Sequence, residues 1–318
     1  MTYEDRAGVR TEALAKRFGD VVALDGVDLE VPAGSVLGLL GHNGAGKTTM
    51  LRILTTLSAP TSGRAWVGGH DVVADPAAVR ACIGLAGQAA TVDDLLSARK
   101  NLEMIGRLYH LPIADVRART RELLERVDLT GDADRLVKTF SGGMRRRLDL
   151  AAALFAKPAV LFMDEPTTGL DPHARKELWA LLREHVRAGA TLVLTTQYLD
   201  EADRLADNII VLDHGRVVAR GTPSELKQRY GGERIVVTVA HEAALTIARG
   251  ALAVFAANGE IDALGTQLSV AARGGTRLVE VVRALDAAGI EAVDVRRRDP
   301  TLDDVFLSLT SISKHEAA

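Results

Sequence analysis

Cysteine is almost missing from this chain: Cys82 is the only one in 318 residues. A single thiol excludes an internal disulfide and any cysteine-based zinc cluster, and it fits a reducing compartment. Charge of one sign is not in excess either. The formal net charge of −3 gives no basis for holding nucleic acid by bulk electrostatics. The first residues, Met1 to Arg6, lack the basic-then-apolar order of a signal peptide. Long hydrophobic runs are lacking as well. The richest, from Leu148 to Met163, is broken by Asp149 and Lys157 and is too interrupted to cross a bilayer. The chain is therefore expected to be soluble, with any membrane role supplied by a partner. There is no internal repeat and no low-complexity segment. What remains, 47% hydrophobic and 25% charged residues, is the balance of a globular protein, and the length suits about two domains.

Short, uniformly apolar runs punctuate the first two-thirds: Val36–Leu40, Ala159–Met163, Thr191–Thr195 and Ile209–Leu212. Continuous rather than alternating apolarity predicts strands buried on both faces of a parallel sheet. Helical patterns between them, such as Lys47–Leu57, predict an α/β core. A more charged helical block from about Gln88 to Phe140 reads as an insertion in that core. Asp213-His214-Gly215-Arg216 reads as a hairpin turn, and Thr222-Pro223-Ser224-Glu225 as a helix start. Gly231-Gly232 then marks the expected boundary. Beyond it the pattern is strand (Arg234–Val239), helix (Glu242–Phe255), hairpin (Gly259–Ala272), helix (Arg277–Ala288) and strand (Glu291–Arg297). That β-α-β-β-α-β order predicts a small ferredoxin-like domain. Leu302–Leu309 adds an amphipathic helix before a loose tail.

Gly41-His42-Asn43-Gly44-Ala45-Gly46-Lys47-Thr48 has the pattern of a phosphate-binding loop, set between a predicted strand and a predicted helix as that motif requires. Glycines let the backbone turn so that amide groups face phosphate oxygens, and the helix offers its positive end to the same anion. Lys47 supplies a charge for the β and γ phosphates and the Thr48 hydroxyl a ligand for Mg²⁺; Thr49 is counted with them. The strand 159–163 runs into Asp164-Glu165, placing two carboxylates at a C-terminal sheet edge, where open α/β sheets bind ligands. Asp164 suits Mg²⁺, directly or through water, and Glu165 suits the role of general base toward the attacking water. Ser141-Gly142-Gly143-Met144 opens a helix with exposed amides, a second kind of anion site. Taken alone, each of the last two features has an ordinary reading, a solvated turn or a simple cap.

In this order, Gly41–Thr48, Gln88, Ser141–Arg145, Asp164-Glu165, Gly169-Leu170-Asp171 and Gln197 resemble an ATP-binding cassette (ABC) transporter ATPase over about residues 11–230. Ser141–Asp149, Thr195–Asp203 and Leu302–Leu307 narrow the likeness to ATP-binding subunits of daunorubicin and doxorubicin resistance exporters. The resemblance implies a head-to-tail homodimer holding two ATP molecules, each between one chain's phosphate loop and the other's Ser141-Gly142-Gly143. It implies that Phe18 stacks on adenine, that Gln88 reaches Mg²⁺ and the attacking water, and that Gln197 contacts the γ-phosphate. It gives Asp171 a place at the dimer interface, although Asp-Pro is equally a helix-start signal. Two positions depart from the wider family: Met144 stands where glutamine is usual, and Gln197 where histidine is usual. Glutamine can donate a hydrogen bond but carries neither charge nor proton.

The expected fold is therefore an α/β P-loop NTPase core of ABC type over residues 1–230, with a helical subdomain at about 88–158. A small α+β domain follows over 231–312, with a tail at 313–318. The expected function is Mg·ATP hydrolysis driving a separately encoded membrane permease, an exporter, from the cytoplasmic face of the membrane and without nucleic acid. Two other classes compete: an ATP-binding regulatory module with negligible turnover, suggested by Met144 and Gln197, and a non-transport ABC ATPase acting on DNA or ribosomes. The second of these usually carries coiled-coil insertions or two cassettes, and this chain has neither. The run Arg145-Arg146-Arg147 reads as a solvated face or as partners for nearby acids, with phosphate contact by Arg145 as the competing reading. His42 and His70 lie in loops and no histidine pair has helical metal spacing, so no protein metal site beyond Mg²⁺ is expected.

Overall fold

The computed structural model describes residues 7–87 and 92–316. Two long strands, β1 (Ala7–Phe18) and β2 (Val21–Pro32), precede β3 (Val36–Leu40), α1 (Lys47–Leu54), β4 (Ser62–Val67), β5 (His70–Asp71), α2 (Pro76–Cys82) and β6 (Ile83–Ala86). Helices α3 (Ala98–Leu108), α4 (Ile113–Arg126) and α5 (Gly142–Ala153) follow. Then come β7 (Val160–Asp164), α6 (Pro172–Arg187), β8 (Thr191–Thr196), α7 (Leu199–Leu205), β9 (Asn208–Asp213) and β10 (Arg216–Gly221).

The apolar runs form one six-stranded sheet in the order β10-β9-β3-β8-β7-β6. Every residue of β3, β7 and β8 is buried, which is why these runs show no alternation. The pairs from β9 through β6 are parallel, and only β10 returns antiparallel. Its turn, His214-Gly215, has positive φ at both residues (44° and 79°), the twist that suits a two-residue hairpin.

A second sheet, β2-β1-β4-β5, is antiparallel and has no clear counterpart in the sequence pattern. Along β2 the burial alternates at Val27, Leu29 and Val31, as a one-faced strand should. Along β1 the pattern is scrambled. The register slips between Thr11 and Leu14, where Ala13 takes a left-handed φ of 43°, so a bulge puts the core residues Val9, Thr11 and Leu14 out of period.

Helices α6 and α7 meet through Trp179, whose indole donates to Glu201 Oε1 at 3.0 Å. Glu201 is fully buried, and burial pushes its carboxyl above the ordinary value, against the hydrogen bonds that favour the ion. A raised acid keeps its proton in the native state after the unfolded chain has lost it. Stability is therefore full below the ordinary carboxylate range and falls as pH rises through it. Glu201→Gln keeps an acceptor for the indole and removes this titration. We expect urea unfolding midpoints of the variant to be flatter than wild type as pH rises above the ordinary carboxylate range, and at least as high at the upper end. Parallel slopes for the two proteins would contradict the buried-acid assignment. Glu201→Ala, which orphans the indole, should instead cost about 1–3 kcal/mol.

The chain divides into two compact units at Thr222/Pro223, eight residues before the expected boundary at 230/231. The reason is packing: α8 (Pro223–Tyr230) lies against α11 (Leu302–Glu316), and Ser308 Oγ donates to Tyr230 O at 2.9 Å. Between them run β11 (Arg234–Val239), α9 (Leu245–Leu252), β12 (Ala256–Leu264), β13 (Gln267–Ala272), α10 (Leu278–Ala287) and β14 (Ala292–Arg298). The antiparallel order β12-β13-β11-β14 is the sheet of the expected β-α-β-β-α-β arrangement. Ile235, Val237, Leu252, Leu268, Val281 and Leu285 form its core. Asp304, in the first turn of α11, is buried between Arg234 and Arg298, each at 2.8 Å. The helix continues to Glu316, so most of the tail expected at 313–318 is helical. No glycine or proline follows Leu302 to stop it.

Candidate functional site

β3 ends at Leu40 and the chain enters the loop Gly41–Gly46 before α1. A side chain on Gly41 would meet the Leu212 carbonyl at 2.4 Å, and one on Gly46 the Ala23 carbonyl at 2.5 Å. Both residues also hold positive φ, so space and conformation each demand glycine. No side chain caps α1, leaving its first amides available to an anion. Lys47 is buried and folds back over the loop, donating to Gly41 O at 2.7 Å and His42 O at 3.0 Å. Burial lowers its pKa, opposed by the charges of Glu165 and Asp164. The cation therefore sits within the field of the acid pair.

Asp164 and Glu165 lie at the C-terminal end of β7, and Thr195 on the neighbouring strand β8 organises both. The Thr195 hydroxyl donates to Asp164 Oδ1 at 2.5 Å and accepts from Glu165 N at 3.1 Å. Glu165 N is also shared with Thr195 O. Glu165 has φ of 50°, a conformation costing a non-glycine residue about 1–3 kcal/mol and found where surrounding structure over-determines it. A cavity of about 430 Å³ beside α1 has Thr48, Arg52, Leu85, Gly87 and Asp164 among its lining residues. Sequence reading passed over Thr195. The available signal was the hydroxyl pair Thr195-Thr196 at the C-terminal end of an apolar run, the same end of the sheet at which the acid pair stands.

Arg146 corrects the expectation of a solvated arginine face. Its guanidinium is largely buried and donates to four carbonyls: Pro166 O at 2.7 Å, Gly87 O at 2.9 Å, and Asp164 O and Glu165 O at 3.0 Å. It ties the start of α5 to the acid pair and to the residue before Gln88. Burial lowers its pKa against four nearby carboxylates, but a guanidinium stays charged. Arg145 pairs with Asp94 and Arg147 with Asp128, as the partner reading had it, and Arg145 is thus engaged within the chain. Successive helical residues point about 100° apart, so three in a row cannot share one face.

Ser141 is the N-cap of α5, its Oγ accepting from Met144 N at 3.2 Å. Gly142 is exposed with open space where a side chain would stand, and Gly143 has only ordinary contacts at 3.9 Å or more. The chain's own packing therefore does not require glycine at either position. The 430 Å³ cavity does not include Ser141–Met144 among its walls. Phe18 is 53% exposed at the end of β1, with the Lys16 ammonium 4.9 Å from its ring centre; it is not core packing. Gln197 is exposed one residue beyond β8. Asp171 caps α6 through bonds from His173 N and Ala174 N, and those bonds hold its carboxyl below the usual range. The expectation for Gln88 lies outside the described residues.

Against known proteins, the ABC transporter family matches residues 24–168, and the C-terminal domain of DrrA1-3-like ATP-binding proteins matches residues 221–310. The chain is 52% identical over 302 residues to the daunorubicin resistance ATP-binding protein DrrA3 of Streptomyces coeruleorubidus, covering 95% of each. It is 46% identical over 297 residues to the doxorubicin resistance ATP-binding protein DrrA of Mycobacterium tuberculosis, covering 92% of this chain and 90% of that one. Among solved structures, a dimeric ATP-binding cassette in a post-hydrolysis state with ADP and Pi is similar at TM-score 0.62 and 27% identity. That match covers 67% of this chain and 98% of the other.

Proposed function

Because the chain belongs to the ABC transporter ATPase family, we propose that it binds Mg·ATP at Gly41–Thr49, closes around it as a homodimer, and hydrolyses it to drive a separate membrane exporter. The observation that carries this reading is the meeting of Lys47, Thr48, Asp164 and Glu165 at the C-terminal ends of β3 and β7. On binding, the loop amides and Lys47 exchange carbonyl partners for phosphate oxygens. The Thr48 hydroxyl and the Asp164 carboxylate offer the hard oxygen donors that suit Mg²⁺; when bound, that ion neutralises charge on the phosphates. Thr195 keeps Asp164 aimed at this position. Glu165, held in its strained conformation, accepts a proton from the attacking water, and Gln88 and Gln197 orient that water and the γ-phosphate. Retention of Glu165 favours turnover over a purely regulatory ATP-binding role, despite Met144 and Gln197.

Open space at Gly142 and Gly143 supports their role in approaching a nucleotide held by a second copy, with Phe18 stacking on adenine. A groove of about 540 Å³ between α3 and α4, with Leu96, Met104, Leu108 and Ile113 in its lining beside Lys100 and Arg117, supports permease docking on this face. Leu108 and Ile113, at 70% and 59% exposure, leave its apolar wall open to solvent. No helix among the described residues is long and apolar enough to cross a membrane, and the permease would hold the chain at the cytoplasmic face. The resistance proteins named above support a hydrophobic drug or similar compound as cargo.

Lys47→Ala tests the site. Losing a hydrogen-bonded charge should weaken ATP binding by roughly 1.5–3 kcal/mol, about ten- to a hundredfold. Titration calorimetry beside a thermal melt separates this from unfolding. Unchanged affinity in a folded variant would remove the phosphate-loop assignment.

A further inference from the structure

From the geometry around His42 we infer a second cation site, for a divalent transition metal of the Zn²⁺ type, formed by His42, Asp213 and His214. One ligand atom from each of the three lies within 4.8 Å of the others. His42 Nε2 is 2.7 Å from Asp213 Oδ1, and His214 Nε2 is 3.8 Å from the same oxygen. The two rings stand edge to face with centres 5.2 Å apart. Ligand atoms around a tetrahedral zinc at about 2.0–2.1 Å lie roughly 3.3 Å from one another, so small side-chain rotations close the set. Two imidazoles and one carboxylate with an open fourth position suit Zn²⁺, Co²⁺ or Ni²⁺, not Mg²⁺.

His42 is also held from its other ring nitrogen. Its Nδ1 faces Asn43 O at 2.6 Å while its Nε2 faces the Asp213 carboxylate. A neutral imidazole has one N–H. Given to Asn43 O, it fixes the tautomer as metal-bound histidines are fixed, by a backbone carbonyl on the other ring nitrogen. Nε2 then faces a carboxylate oxygen at 2.7 Å, and a cation shared by the two needs them to part by roughly 0.6 Å to ligand spacing. The competing reading is a direct hydrogen bond between Nε2 and the carboxylate.

Both halves of the set are held in place. The β9–β10 turn is pinned to the phosphate loop by Gly215 N donating to Ala45 O at 3.0 Å, and Gly215 O accepts from Asp25 N at 2.9 Å. His214 is exposed, giving an ion a route from solvent. Since His42 O accepts from Lys47, an ion here would tie the nucleotide loop to the hairpin. This inference does not depend on the transport reading.

The experiment uses the full chain without nucleotide, because ATP itself binds metals. Co²⁺ is titrated while its visible absorption is followed, and Zn²⁺ is then added as competitor. The expected result is uptake of one equivalent with the absorption of a low-coordinate nitrogen–oxygen site, displaced by Zn²⁺. His214→Asn, chosen because asparagine tolerates the positive φ of that turn, and Asp213→Asn should each weaken Zn²⁺ binding about tenfold or more. His70→Ala should leave it unchanged. Absence of stoichiometric uptake leaves the direct hydrogen bond between His42 and Asp213 and overturns the site. So does uptake indifferent to both His214→Asn and Asp213→Asn in variants that melt like wild type.

Discussion

Glu165→Gln should lower ATP turnover by roughly 10²- to 10⁴-fold, the usual worth of a positioned general base, while leaving ATP affinity near that of wild type. The amide has the shape of the carboxylate but cannot take a proton from water. The backbone bonds that order the segment are kept: Glu165 N keeps its bonds to Thr195, Thr195 still directs Asp164, and the amide oxygen still offers an acceptor to the Thr168 hydroxyl that now donates to Glu165 Oε2 at 3.2 Å. Steady-state hydrolysis with ATP titration measures the split between rate and binding. With hydrolysis blocked, an ATP-sandwiched dimer should accumulate, visible by light scattering with and without Mg·ATP. Turnover within a few-fold of wild type would show that Glu165 is not the base. A variant that stays monomeric at saturating Mg·ATP would count against closure around the nucleotide.

Arg146→Ala should be the most destabilising change in the arginine run. It leaves the carbonyls of Gly87, Asp164, Glu165 and Pro166 without their shared donor. Part-buried acceptors stripped of a charged partner cost about 1–3 kcal/mol each where no water reaches them, and Glu165 O keeps a bond from Thr168 N at 3.3 Å. A total on the order of 3 kcal/mol or more is expected, lowering Tm by roughly 6–12 °C for a unit of this size. Arg146→Lys should recover only part, since an ammonium cannot reproduce the planar fork. By contrast, Arg145→Ala and Arg147→Ala break partly exposed ion pairs and should each cost no more than about 1 kcal/mol. Turnover per folded molecule should also fall in Arg146→Ala, because the backbone that carries Asp164 and Glu165 is no longer fixed. Equal melting shifts across the three alanine variants would refute the distinction.

By itself, the sequence determined the parallel sheet, the glycine loop between strand and helix, the two acids at the strand end and the element order of the second unit. Each is a local property. A strand buried on both faces must be apolar throughout, as in Val36–Leu40 and Thr191–Thr196. The loop 41–46 must carry glycine where its backbone turns against Leu212 and Ala23. Other features were settled only by contacts between segments distant in the chain. The bulge at Ala13 hid the antiparallel sheet, because period-two burial is readable only where register is unbroken. The first unit ends at Thr222 because α8 docks on a helix some eighty residues later. Arg146 looks like its neighbours in sequence and differs from them through carbonyls contributed by two other segments. The same holds for His42 and His214, which no spacing rule pairs and which the β9–β10 hairpin brings to one carboxylate. Local patterns record what a residue's own element needs. What a side chain meets across the fold is decided when the elements pack, since hydrogen bonds and ligand sets depend on distances of a few ångströms that sequence separation does not encode.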